Sequence, residues 1–303
     1  MKTKRKITGT TGAARAIAAG AIAIKGMSRH ALWSVLFLLL FAGVGATSAG
    51  AQCTAKNTAF LPGEKVSYEL MFNWKFIWIK VGTAELTTDT ANYEGKPGYR
   101  FLLKSLTSKR ADFFFKMRDT LTCYVTNRLE PLYFCKAAEE GKRHTMDEAW
   151  FSYRDGKSHV KQRRTWYKPA RETNHMEYTA ESGCIFDMLS ILGQARSWRA
   201  EDYKVGDKIH FPMATGRRVE QQTLIYRGIE NVEAKDDKTY RCLVFSFVEY
   251  DKKGQENEVI TFFISDDDNH LPIRLDMYLS FGSAKAFFSG VKGNRYPLTS
   301  VVK

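Results

Sequence analysis

Cysteine, histidine and carboxylate side chains are what this chain could use for covalent or metal chemistry. Cys184 follows Ser182-Gly183 at the expected start of a helix, where an exposed thiol would have its pKa lowered. With His144, His159, His175, His210 or His270 it could form a Cys/His nucleophile, but five scattered histidines single out none. A buried or disulfide-bonded Cys184 is the simpler expectation. The run Asp266-Asp267-Asp268-Asn269-His270 concentrates hard oxygen ligands. It lacks the glycine and distal glutamate of a calcium-binding loop, so a polar hairpin turn is expected. The sequence contains no HExxH, GxSxG or CxxC pattern, and neither a metal nor a cofactor is expected. Glu64, Glu69, Asp119 and Asp187 are the carboxylates that an enzyme acting on envelope polysaccharide would have to bring together. Their spacing pairs none of them. The expectation is therefore a non-enzymatic protein, with a polysaccharide-modifying enzyme as the alternative.

Non-covalent binding has more to work with. Phe72, Trp74, Phe76 and Trp78 share one parity, and Phe101, Phe113, Phe114 and Phe115 follow. Such a row can form a wall for acyl chains or sugar rings, or simply pack the core of a large sheet. Lys161, Arg163 and Arg164 lie near Trp166, Tyr167 and Lys168, with Arg217-Arg218 as a second basic site. These could meet lipid phosphates or acidic glycans, or act as charged strand edges that resist aggregation. Trp74, Phe76, Trp78, Arg163 and Arg164 are the candidate ligand-contacting residues. The partners expected are an envelope lipid, an acidic glycan or an envelope protein, with a structural assembly subunit as a further alternative. Nucleic acid is not expected.

The amino terminus governs how the charge is read. The 303 residues carry 46 Lys and Arg against 33 Asp and Glu, a net +13. Seven of those cations and no acid fall within the first 51 residues, leaving 39 against 33 for the remainder. An apolar run from Ala31 to Ala42 follows Arg29-His30 and precedes Ala49-Gly50-Ala51, the form of a secretory signal peptide. Cleavage is expected after Ala51, giving a periplasmic or secreted protein that is not integral to a membrane. Met27 stands open as the true start. A lipid anchor on Cys53 is disfavoured, because Gln52 is a poor residue before an acylated cysteine. All five cysteines lie beyond the leader, where disulfides persist. Cys123 and Cys135 flank a turn centred on Leu129 at equal offsets and form a candidate disulfide.

These residues need elements to hold them. After residue 51 the chain reads as short β-rich runs separated by turns. Asp155-Gly156 suits the positive φ angles of a two-residue hairpin, and Gly95-Lys96-Pro97-Gly98 reads as another turn. About a dozen strands are expected in a single domain over 52–303. One segment differs: Ile185, Met188, Leu189 and Leu192 make a helical stripe. This places one helix at about 184–198, with Ser182 as candidate N-cap and Arg196 and Arg199 complementing the dipole. The fold class expected is mainly β, a large antiparallel rolled sheet or half-barrel plugged by that helix.

The order of several short motifs resembles one family. Asn57-x-x-Phe60-x-Pro62-Gly63-Glu64-x-x-x-Tyr68 and Gly82-x-Ala84 look like its opening. Asp119-x-Leu121, Leu129-x-Pro131, Asp187-Met188-Leu189-Ser190, Tyr203-x-x-Gly206-Asp207 and Asp266 to Ile273 continue the match. On these residues the chain resembles the domain of unknown function 3108 family. The resemblance implies an exported envelope protein with a YmcC-like rolled antiparallel sheet. It brings no catalytic residue or cofactor. For Glu64 it implies a structural role, expected to be a bond to nearby backbone.

Overall fold

The structure is a computed structural model that describes residues 53–302 except 75–76, 182, 252 and 280–281. The expected signal peptide, its cleavage site, Met27, Phe76 and Ser182 lie outside the described residues, as does the side chain of Trp74.

Alternation of apolar and polar residues builds the sheet. In the strand Met117–Thr126, Asp119, Leu121, Cys123 and Val125 point inward and are buried, while the residues between them are half-exposed; this is the period-2 signature of a sheet with one dry face. Fourteen strands follow in order: β1 (Glu64–Trp74), β2 (Ile77–Tyr93), β3 (Lys96–Thr107), β4 (Met117–Thr126), β5 (Pro131–Glu140), β6 (Arg143–Arg154), β7 (Lys157–Lys168), β8 (Ala170–Thr179), β9 (Lys208–Ala214), β10 (Val219–Glu233), β11 (Thr239–Tyr250), β12 (Glu256–Ser265), β13 (Pro272–Leu279) and β14 (Gly282–Lys292). All pair antiparallel in one sheet of order β8-β7-β6-β5-β4-β3-β2-β1-β14-β13-β12-β11-β10-β9. Two meanders are thus joined where β1 meets β14, and β8 and β9 are left as edges, so hydrogen bonding does not close the barrel.

The Asp155-Gly156 turn forms as expected, with φ of 53° and 69°. The expected turn over 95–98 is tighter. Glu94 and Gly95 take the positive φ angles, and Lys96 to Gly98 already belong to β3.

The helix is shorter and later than its apolar stripe suggested. α1 spans Met188–Ala195, and Asp187 is its N-cap. The Leu189 and Ser190 amides donate to Asp187 Oδ1 at 2.9 and 3.0 Å. Ser190 Oγ accepts from the Asp187 amide at 3.0 Å, completing a reciprocal cap. The preceding residues cannot be helical because Phe186 runs beside β9. Its amide donates to the Pro212 carbonyl, and its own carbonyl accepts from the Ala214 amide.

α1 plugs the inner face. A Cβ on Gly193 would lie 2.7 Å from the Phe101 ring, so only glycine permits this approach. The main core combines Phe60, Phe101, Cys123, Phe134, Leu189, Tyr240 and Phe288 with their neighbours. No helix among the described residues is long and apolar enough to cross a membrane.

Candidate functional site

The meander brings four connections side by side at one end of the sheet: β5–β6, β3–β4, β1–β2 and β13–β14. β2 leaves this end and β3 returns to it, and the same alternation holds for each neighbouring pair. Large apolar side chains stand in water along this rim. Phe113 is 87% exposed, Phe114 77% and Ile77 65%; Trp78, Ile79, Leu106, Phe115, Tyr278 and Leu279 are also exposed. The turns at the other end are polar, among them Glu94-Gly95, Asn127-Arg128, Asp155-Gly156 and Asp236-Asp237.

The β3–β4 loop is ordered by its own polar groups. The Asp112 amide donates to the Ser108 carbonyl, and the Phe114 and Phe115 amides both donate to the Ala111 carbonyl. The Asp112 carboxylate faces inward, accepting from Arg118 at 3.0 and 2.5 Å and from Thr107 Oγ1 at 2.5 Å. These partners, Arg118 foremost, hold its pKa below the usual carboxylate range. The loop's one acid is thereby neutralised, and Phe113 and Phe114 are left at the tip, edge to face at 5.3 Å. Lys109 and Arg110 are exposed beside them and belong to none of the ion pairs among the described residues. Lys285 Nζ sits 5.0 Å from the centre of the Trp78 ring, a cation–π contact.

The described members of the aromatic row and of the basic cluster lie on different faces and strands. Phe72 pairs with Ile79 and Asn73 with Trp78; the hairpin reverses parity, and Phe72 and Trp78 fall on opposite faces. Arg163 and Arg164 lie on β7, separated from β2 by β3 to β6. Their charges are already matched. Arg164 forms a two-point pair with Asp147 at 2.5 and 2.6 Å, and Arg163 grips Glu148 through Oε2 at 2.8 and 2.6 Å. Arg163 also covers Trp150 at 5.2 Å. Trp150 ends an outer-face ladder with Tyr93, Tyr124 and Tyr133 that sequence reasoning missed. Its signal was one aromatic per strand at a polar-face position.

The cysteines correct a second expectation. Cys123 and Cys135 are not bridged. A bulge between Tyr124 and Val125 shifts the ladder, so Cys135 faces Thr122 and Cys123 faces Phe134. The two thiols therefore point to opposite faces. Cys123 donates from Sγ to Asp187 Oδ2 at 3.3 Å, and burial pushes its pKa up. The bridge that exists is Cys53–Cys184, spanning 131 positions. It lines a cleft of about 550 Å³ between the edge strands, with Tyr178, Glu181, His210 and Gln221. Cys184 is thus a disulfide partner, and its sulfur is not a nucleophilic thiolate.

The four carboxylates considered for catalysis are each engaged separately. Glu69 pairs with Lys80. Asp187 caps α1. Asp119 lies 3.5 Å from Lys136 Nζ, and burial raises its pKa to about 6. Glu64 does not bond nearby backbone. It takes the guanidinium of Arg196 at 2.6 and 2.9 Å, and Arg196 also donates twice to the Asn269 carbonyl. Both side chains are almost wholly buried, at 1% and 2% exposed. The Asp266–His270 run is a polar turn with internal work to do. Asp267 accepts from Ser265, from the Asn269 amide and from Ser300, while Asn269 holds Tyr296 and Pro297. The described residues contain no group of three or more His, Cys, Asp or Glu suited to a metal.

Two solved structures align with this chain. A "beta-barrel-like" protein of domain of unknown function DUF1849 from Brucella abortus aligns at TM-score 0.50 and 12% identity, covering 77% of this chain and 98% of that one. A putative exported protein with YmcC-like fold from Bacteroides fragilis aligns at TM-score 0.31 and 8% identity, covering 78% and 99%. No curated protein matches. The model of the DUF3108 family, described as a protein of unknown function, matches residues 67–289. The chain belongs to the DUF3108 family.

Proposed function

We propose that this chain is an exported, non-enzymatic protein of the cell envelope that binds an amphipathic envelope component at the apolar rim. The observation carrying this is the cluster of exposed rings and aliphatic side chains on adjacent hairpin tips, led by Phe113, Phe114 and Ile77. Contiguous apolar surface kept in water marks a place where something else binds. Export is supported by the leader-like first 51 residues and by the Cys53–Cys184 bridge, which an oxidising compartment preserves. The same bridge argues for a protein free of lipid on Cys53, because a sulfur bonded to Cys184 cannot also carry a thioether.

The test is mass spectrometry of protein purified from an exporting host without detergent. Co-purifying lipid or glycolipid, displaced when the rim is mutated, is expected. A clean protein unresponsive to short-chain phospholipids and glycans would overturn the proposal.

A further inference from the structure

Resting on that reading of the rim, we propose that its partner is the surface of an anionic lipid bilayer, entered by the β3–β4 loop. Three features of the loop converge. Its apolar residues are placed outward at the tip, Phe113 and Phe114 being the most exposed large apolar side chains among the described residues. Its one acid, Asp112, is turned inward onto Arg118 and Thr107. Its two forward cations, Lys109 and Arg110, stay exposed and take part in no described ion pair.

A loop built to bury its rings against a protein groove has no need to present cations and pair its acid internally. A loop meeting phosphates at the boundary between headgroups and acyl chains needs both. The neighbouring tips add apolar side chains on both faces of the rim. Ile77 and Ile79 project from β2, and Trp78 and Tyr278 are amphipathic rings of the kind that settle at headgroup level. Lys142 and Arg143 flank the β5–β6 turn, and Glu140 is bound to Lys136 and Arg143. The Gly141 amide donates to the Lys116 carbonyl at 2.7 Å, tying that turn to the base of the β3–β4 loop. The turns at the far end of the sheet are polar, so attachment through the rim is one-sided.

Binding is electrostatic at approach and apolar at insertion, so it depends on both lipid charge and the two rings. The probe is vesicles of phosphatidylcholine with about one third phosphatidylglycerol, compared with phosphatidylcholine alone. The protein comes from an exporting host, with its amino terminus fixed by intact mass. Co-sedimentation with the anionic vesicles is expected, at least ten-fold weaker on neutral ones and weakened by salt. Phe113→Ser with Phe114→Ser should cut the partition coefficient ten-fold or more. Lys109→Glu with Arg110→Glu should do the same on anionic vesicles alone. Both variants alter only exposed positions, and unchanged thermal midpoints would show that they fold.

Equal binding to neutral vesicles, or full binding by either variant, would overturn the proposal. So would absence from vesicles with rim-dependent dimerisation, which would make the rim a protein contact. Monomeric short-chain phosphatidylglycerol separates the two levels. If it binds while vesicles do not, the bilayer assignment fails and the broader function stands. If neither binds, the bilayer assignment falls, and a lack of response to glycans as well would bring down the broader function with it.

Discussion

Replacing Arg196 by Met should destabilise the protein by about 3–5 kcal/mol, the cost of breaking a buried ion pair from one side. Arg196 follows the last turn of α1, and Glu64 opens β1, 132 positions away. Its guanidinium makes four hydrogen bonds, two to the Glu64 carboxylate and two to the Asn269 carbonyl. It also lies 5.3 Å from the centre of the Phe60 ring. With 2% and 1% exposure, neither partner can exchange the other for water. Arg196→Met leaves a carboxylate without counter-charge, and Glu64→Leu leaves a guanidinium without one; each should fall in the same range. Glu64→Leu with Arg196→Met removes both charges and should lie within about 2 kcal/mol of the parent, the residue being chiefly the unpaired Asn269 carbonyl. Urea unfolding followed by tryptophan fluorescence, with the disulfide intact, gives all four stabilities. Single variants costing less than about 1 kcal/mol, or a double variant equal to the sum of the singles, would refute the picture of a mutually dependent buried pair.

Four further outcomes follow from the same geometry. Unfolded without reductant, the protein should show three titratable thiols, those of Cys123, Cys135 and Cys242; a count of one would mean a second bridge. Reducing Cys53–Cys184 should lower stability by about 2–5 kcal/mol, read from the urea midpoint. Gly193→Ala should cost about 1–3 kcal/mol by overpacking against Phe101, and a smaller residue at position 101 should recover part of that. Asp119 has a folded pKa raised to about 6 by burial, so the folded state holds its proton more tightly than the unfolded chain. Its contribution therefore falls as pH rises from about 4 to 6, by up to about 3 kcal/mol, and is level above. Asp119→Asn should gain on the parent between pH 4 and 8. An offset equal at both ends would contradict this.

What could be foreseen from the residues was whatever local chemistry decides. Asp155-Gly156 announces its hairpin because few dipeptides tolerate two positive φ angles. The alternating runs announce a one-sided sheet, and the stripe around Leu189 announces a helix. The helix start was misplaced because Ser182 looked like a cap, whereas Asp187, with Ser190 three residues on, is the actual box. β8 went unseen because an edge strand wet on both faces, Arg-Glu-Thr-Asn-His-Met-Glu, has no apolar period. Contacts set by how the sheet rolls were not legible at all. Cys53–Cys184 and Glu64–Arg196 each join residues more than 130 apart. Phe101 and Phe113 are the same residue type, one in the core and one at the rim. The turn chemistry around Asp112 separates them, and it appears only once the loop is folded.

The strand order also bears on how the chain can acquire its shape during synthesis. Strands β2 to β8 pair only with their immediate neighbours in sequence, so each can zip onto the last as it emerges. The outer side of β1 is different: its partner is β14, the final strand. Until the carboxy-terminal hairpin arrives, the first strand made presents an unsatisfied backbone edge. Cys184 emerges well before then, so the oxidation that joins it to Cys53 can fasten the amino-terminal meander while the second one is still being delivered. An assembly intermediate with its disulfide formed and one naked strand is the species most open to wrong pairing.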